Sequence, residues 1–297
     1  MALPTAAALV GSLPRPLRRH RLMTGWMRLT GEDPLQLVRI RGNAFAYADM
    51  SDGFLRLIVI EGAYDQDFFR IADALLADGG EFFDVGANYG LLSFGLADKL
   101  ADRVRFHLFE PVPRLVRAIR RTRELYPGMQ ATVNAAAMTD YNGEVAFAVA
   151  EEQTGRSHID PNGSLRTLCV KLDSYLAQPG MADIDLLKLD VEGYELPALR
   201  GAAAARERRA IKAIYFEYFE KYLVRVGPPA ELIRFLDAAG YEVCLCREYD
   251  LVAAGGATHT LADGLPGHGL PLTPVQGRIV PSMTDLFAAP RENIVAL

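Results

Sequence analysis

Residues 82–90, reading Phe-Phe-Asp-Val-Gly-Ala-Asn-Tyr-Gly, constrain the fold of this chain more than any other stretch. An apolar run ends in Asp84, breaks into a glycine-rich turn, and passes into a helical pattern over 89–100. An α/β sheet builds a ligand pocket in this way: the strand stops, the backbone turns sharply, and a helix N-terminus faces the ligand. Gly86 and Gly90 carry no Cβ, so the backbone there can approach a ligand closely. Twenty residues past Gly90, the apolar run 104–109 ends in Glu110. A third run, 185–189, ends in Asp190-Val191-Glu192-Gly193. Three strand ends carrying acidic residues outline one site.

The chemistry of those residues narrows the ligand. Amides of the turn through Asn88 suit the carboxylate of a methionine moiety, and Asp84 can reach its amino group directly or through water. The carboxylate of Glu110 suits both hydroxyls of a ribose, although it also precedes Pro111 and Pro113 and can cap the next helix. Asn134 and Ala135, after the third strand, fall near the adenine by their order in the fold. A nicotinamide fold would carry Gly-x-Gly-x-x-Gly, whose middle glycine admits a pyrophosphate. Here the spacing is Gly-x-x-x-Gly, which suits S-adenosylmethionine (SAM), a nucleoside without phosphate.

The motifs at 83–90, 109–113 (Phe-Glu-Pro-Val-Pro), 187–195 (Leu-Lys-Leu-Asp-Val-Glu-Gly-Tyr-Glu) and 214–217 (Ile-Tyr-Phe-Glu) resemble those of the FkbM family of SAM-dependent methyltransferases. The resemblance spans about residues 55–290, with its motifs in 80–220. It implies O-methylation of a hydroxyl on a sugar or secondary metabolite. Methyl transfer to oxygen needs in-line positioning and a base for the departing proton. Asp190 and Glu192 are the first candidates, as the base or as the group holding the hydroxyl, and His158 is the second. The same carboxylates could ligate a divalent cation that lowers the hydroxyl pKa, but no motif calls for a metal. Glu195 reads as a helix cap, Glu217 either faces the substrate or caps its strand, and His107 sits inside an apolar strand as a core residue.

From residue 81 onward strands and helices alternate: strands at 81–85, 104–109, 131–134, 184–190, 211–217 and 241–246, with a last one at 285–288. Helices fall near 89–100, 113–124, 194–205 and 228–239. The expected architecture is α/β: the class I SAM-dependent methyltransferase (Rossmann-like) fold. It is a mostly parallel seven-stranded sheet with helices on both faces, plus an N-terminal β/α extension. Residues 1–79 form that extension: an arm rich in Pro and Arg, short β runs at 37–41, 44–48 and 54–60 with an Asp52-Gly53 turn between the last two, and a helix at 66–77. Residues 80–297 form the methyltransferase domain, with an insertion at 141–175 beside the pocket and a Gly/Pro-rich lid or loop at 253–281.

Composition weighs against several alternatives. A net charge of −5 argues against a nucleic-acid binder, although net charge does not exclude a local basic patch. Three cysteines make no disulfide framework, which fits a reducing, cytoplasmic setting. No run of about 20 apolar residues is present to span a membrane. The family resemblance implies a small-molecule or glycan acceptor, with a homo-oligomer compatible. The rival readings are a catalytically silent SAM-binding scaffold, an N-methyltransferase acting on a macromolecule, and an NAD-dependent oxidoreductase. The second would carry an Asn/Asp-Pro-Pro-Tyr/Phe turn where this chain reads Asp-Val-Glu-Gly.

Overall fold

The computed structural model describes residues 33–53, 64–151, 153–245 and 283–296 continuously, with 25, 27, 29–31, 55, 58, 259–261 and 273–274 besides. Its centre is an eight-stranded sheet. In chain order the strands are β3 (Gly80–Val85), β4 (Val104–Phe109), β5 (Gln130–Asn134), β10 (Leu186–Leu189), β11 (Ile214–Phe219), β12 (Tyr241–Leu245), β14 (Thr273–Pro274) and β15 (Met283–Pro290). Their order across the sheet is β14-β12-β15-β11-β10-β3-β4-β5. The chain moves outward from β3 through β4 to β5, then returns to the other side of β3 with β10 and β11. That reversal makes a topological switch point between β3 and β10, where ligands of doubly wound sheets bind.

The sheet differs from the sequence expectation in two respects. It has eight strands rather than seven, because β14 adds a short edge strand within the segment read as a lid or loop. It is also mixed: β15 lies antiparallel to both β11 and β12, and β14 is antiparallel to β12. Strand β15 returns between two earlier strands, and an antiparallel partner needs no crossover helix. Residues 253–258, 262–272 and 275–281 of the expected lid lie outside the described residues.

Helices α1 (Gln66–Leu75), α2 (Leu91–Leu100), α3 (Pro113–Arg123), α4 (Leu172–Leu176), α5 (Glu195–Arg200), α6 (Ala203–Glu207), α7 (Glu220–Leu223) and α8 (Ala230–Ala238) accompany the sheet. Successive residues of β3 serve opposite faces. Phe82 packs with Phe68, Phe94 and Phe106 in one core, and Phe83 packs with Phe109, Leu187 and Tyr175 in the other. Both faces are buried, so these strands read as continuous apolar runs. His107 is a core residue, bonded through Nε2 to Glu81 at 2.8 Å and through Nδ1 to the Tyr175 hydroxyl at 2.9 Å. The helix expected at 194–205 is broken into α5 and α6 around Gly201.

Ahead of the sheet, β1 (Leu35–Arg41) and β2 (Ala44–Asp49) form a hairpin. It is held to α3: the Tyr47 amide donates to Thr122 Oγ1 at 2.9 Å, and the Arg121 guanidinium lies 4.0 Å from the Tyr47 ring centre. The third β run, 54–60, is not a strand where it is described. Gly53, Leu55 and Ile58 are helical, and Leu55 and Ile58 are buried in the core. Apolar residues at 55 and 58 have helical spacing, which short-run alternation concealed. The Asp52-Gly53 pair therefore does not turn one strand into another. The insertion supplies three strands of a separate four-stranded sheet, joined by β6 (Ala136–Met138) just ahead of it: the order is β6, β9 (Leu165–Val170), β7 (Gly143–Ala148) and β8 (His158–Ile159). A last pair joins β13 (His259–Leu261) to β16 (Ile294–Ala296). Among the described residues no helix is long and apolar enough to cross a membrane.

Candidate functional site

The carboxyl ends of β3, β4 and β10 meet at the switch point. Strand β3 stops because Gly86 takes φ +76° and Asn88 takes φ 53°, the left-handed region that Asn tolerates best among side-chain-bearing residues. A Cβ on Gly86 would sit 1.8 Å from the carbonyl oxygen of Asp190, so glycine is required there by the neighbouring strand end. Gly90, at φ +71°, caps α2, and a Cβ on it would meet Phe94 and Leu108. Packing against these two side chains, together with the positive φ, favours glycine there.

Glu110 follows β4 and holds this turn from beneath. Its Oε2 accepts from the Asn88 amide at 2.8 Å, and its Oε1 accepts from the Val112 amide at 2.9 Å. It thus ties the glycine turn to the start of α3. Each oxygen keeps a second lone pair, so the carboxylate can still accept from a ligand. Burial pushes its pKa up to about 7, with the two amides and Lys188 pulling the other way.

On the other side of β3, Lys188 and Asp84 are register partners across β10 and β3. The Lys188 ammonium sits 3.2 Å from Asp84 Oδ1 and 3.7 Å from Asp190 Oδ2, and donates to the Gly86 carbonyl at 2.7 Å. Burial alone would lower the Lys188 pKa, but Asp84 and then Asp190 outweigh it and the net shift is upward. Asp84 also accepts from Ser93 Oγ at 2.7 Å. It is a buried clamp under the turn rather than a residue facing open space.

After β10 the chain makes a tight turn with Glu192 at φ 55° and Gly193 at φ 100°. Non-glycine residues in this region cost about 1–3 kcal/mol and persist only where the surroundings enforce them. Here Glu195 Oε1 accepts from the Val191 and Gly193 amides, and Arg225 donates to the Glu192 carbonyl at 2.6 Å. A Cβ on Gly193 would lie 2.4 Å from the Tyr222 carbonyl oxygen. Glu195 therefore fastens the turn ahead of α5; the N-cap of that helix is Tyr194, which makes no side-chain cap bond, so the helix-cap role expected for Glu195 is not what its side chain does.

Glu217 lies one residue past the register pair Leu189–Phe216, level with Asp190. Asp190, Glu192 and Glu217 consequently crowd together, with one oxygen of each within 4.8 Å of the others. Burial first, and then repulsion by Asp190, raises the pKa of both Glu192 and Glu217. A cation could sit among such oxygens. Proton uptake relieves the same crowding, and acidic groups gather without a metal often enough that the cluster alone does not establish one.

Two cavities open at this edge and share Gly86, Asn88, Gly155, Asp190 and Glu192. The first is a cleft between Glu110 and the insertion, with Phe109, Leu115, Met138, Phe147 and Ile159 as its apolar walls. The second encloses about 610 Å³ and is bounded by Asp190, Glu192 and Glu217, by Tyr64, Phe219 and Tyr222, and by Arg156 and Lys221.

Five of the ten residues expected from sequence thus line a cavity: Gly86, Asn88, Glu110, Asp190 and Glu192. Asp84 and Gly90 support the turn from behind. Asn134 donates to the Leu108 carbonyl at 3.2 Å and lies near Tyr175, and Ala135 is exposed; the next residues, Ala136 to Met138, reach the cleft instead. His158 is bonded to the Arg156 carbonyl at 2.9 Å, faces Asp160, and lines neither cavity. Sequence reasoning missed Lys188 as a site residue, although its two-residue spacing from Asp190 was the available signal. It also missed Thr154, Gly155 and Ser157, whose approach to the cleft depends on the insertion's tertiary fold and has no sequence signature.

The FkbM methyltransferase domain model matches residues 84–243, more than half of the chain. No curated protein matches the chain. Among solved structures, methyltransferase FkbM from Methylobacillus flagellatus KT is 15% identical with a TM-score of 0.41. That match covers 71% of this chain but only 44% of the Methylobacillus chain. The O-methyltransferase TomG from Streptomyces achromogenes, solved with SAM, is 11% identical with a TM-score of 0.41, covering 76% of this chain and 79% of TomG. TYW2 from M. jannaschii, solved with AdoMet, is 11% identical with a TM-score of 0.40, covering 90% and 89%.

Proposed function

The chain belongs to the FkbM methyltransferase family, and from that premise we propose that this SAM-dependent enzyme methylates a hydroxyl oxygen of a small-molecule or carbohydrate acceptor. The residues present fit the cofactor. Apolar walls suit an adenine, and Glu110 keeps free lone pairs toward the cleft for ribose hydroxyls. SAM, when bound, supplies an electrophilic methyl group on a sulfonium. The turn at Gly86 and Asn88 borders both cavities, so a reactive group held there faces the second one.

The observation that carries the acceptor reading is the wall of that second cavity. Asp190, Glu192 and Glu217 offer hydrogen-bonding oxygens, while Phe219 and Tyr222 offer ring faces. Polyols and sugars present hydroxyls on their edges and C–H groups on their faces, which matches that pairing. The volume lies within the range of about 300–1,000 Å³ found for small-ligand sites.

Replacing O–H by O–CH₃ releases one proton, and a carboxylate of Asp190 or Glu192 is positioned to take it. A carboxylate within reach of the acceptor hydroxyl is the kind of group that serves as a general base. The test is product analysis after incubation with SAM and a panel of hydroxylated acceptors. An O–CH₃ carbon resonance in the product is expected; exclusive N–CH₃ or C–CH₃ products, or SAM binding without turnover on any acceptor, would contradict the reading.

A further inference from the structure

The segment 153–157 lies across the junction of the two cavities. Thr154, Gly155 and Ser157 line the cleft, and Gln153, Gly155 and Arg156 line the larger cavity. A Cβ on Gly155 would lie 3.9 Å from both Asn88 Nδ2 and Glu192 Oε1, so the segment spans from the glycine turn to the acidic wall. It belongs to the insertion, yet it is fastened by a residue 102 positions earlier in the chain.

That residue is Asp52, just after the N-terminal hairpin. Its side chain is fully buried, at 0% exposure. One carboxylate oxygen, Oδ2, accepts from the Thr154 amide at 2.8 Å and from the Thr154 hydroxyl at 2.6 Å. The same hydroxyl oxygen is 3.1 Å from the Asn88 side-chain amide oxygen. A hydroxyl has one proton, and the shorter, charge-assisted bond takes it. Asn88 must then turn its NH₂ toward Thr154 Oγ1, which leaves an unbroken chain from Asn88 through Thr154 to Asp52. Asn88 is also the residue whose amide bonds Glu110. Cleft floor, roof and N-terminal extension are therefore one hydrogen-bonded unit.

A buried carboxylate is costly unless its oxygens are satisfied, and removing a partner from one is strongly destabilising. A pair of bonds of this kind holds its loop in a defined place. We propose that Asp52 is a positioning residue that latches the 153–157 segment over the cofactor cleft, so that the N-terminal extension sets how tightly and how long SAM is held. This rests on the cleft being the SAM site.

The experiment compares Asp52→Ala, Thr154→Val and the double variant with wild type by calorimetry with S-adenosylhomocysteine and by limited trypsin cleavage after Arg156. Each single variant is expected to raise the Kd about tenfold, and the double variant no more than either alone, because the residues act as one unit. Thr154→Ser keeps both donors and is expected to bind like wild type. Cleavage after Arg156 should quicken in the variants, while bound S-adenosylhomocysteine should slow it in wild type. Asp52→Asn, which keeps the side-chain volume, replaces Asp52→Ala if the latter does not fold. Variants that fold and bind within about twofold of wild type, or fully additive losses, would overturn the latch. Wild-type protein that fails to bind S-adenosylhomocysteine at all would instead overturn the cofactor assignment.

Discussion

Glu110 and Glu192 stand at the ends of strands on either side of β3, and the backbone treats them in opposite ways. Glu110 is met by two amides, one on each oxygen. Glu192 faces Asp190 and Glu217, and among the described residues its buried Oε2 has no hydrogen-bond partner. The first arrangement is preorganised: the protein has already oriented the group before any ligand arrives. The second is unsatisfied, and relieves itself by holding a proton or by meeting donors from outside. Under the proposed function, the preorganised side would hold the cofactor and the receptive side the acceptor.

Lys188 reaches the regions on both sides of this divide, since it pairs with Asp84 and Asp190 and grips the Gly86 carbonyl. Lys188→Met should therefore have the largest effect. Asp84, 1% exposed, would lose its cation, and losses of about 3–5 kcal/mol are expected when one member of a buried pair is removed. Urea unfolding checks this; a loss below about 1 kcal/mol would mean the pair is not the clamp described.

Changing one carboxylate from each side, Glu110 and then Glu217 of the acidic cluster, should split the site. Glu110→Ala should weaken S-adenosylhomocysteine binding by about 1–3 kcal/mol, the cost of a lost charged acceptor. Glu217→Gln should leave that affinity within about twofold and act on the acceptor KM instead. Calorimetry and initial rates distinguish the two, and equal effects of both changes on cofactor affinity would erase the contrast.

The smallest expected effect is proton linkage. Glu110 is raised from 4.5 to about 7, so between those values the folded protein holds a proton that the unfolded chain has released. Its contribution to stability therefore falls as pH rises through that window. Ribose hydroxyls donate to the ionised form, so binding should pull the pKa down and release protons near pH 6. Affinity should rise with pH and level off above about pH 7. Binding enthalpies in buffers of different ionisation heat read this directly, and Glu110→Gln should abolish the dependence.

The sequence made the floor of the site legible and left its roof hidden. Strand, acidic residue and glycine turn are contiguous at 82–90, and Glu110 and Asp190 each end an apolar run, so local pattern located them. Lys188 and Asp84 are 104 residues apart, and only the register of β10 on β3 brings them together. Asp52 and Thr154 meet through the packing of the extension against the insertion, and a polar loop residue gives no periodic signal. Residues 53, 55 and 58 are helical where a strand is expected, because a short apolar run fits either period. The orientation of β15 was equally invisible, since a strand pattern carries no direction.

The most direct test is a crystal structure of the enzyme with S-adenosylhomocysteine. Its adenosine is expected between Phe109 and the insertion, with the ribose hydroxyls on Glu110 and the sulfur at the shared mouth by Gly86 and Asp190, open to the larger cavity. A ligand bound elsewhere, or one whose sulfur faces away from the acidic wall, would contradict the division of the site into a cofactor side and an acceptor side.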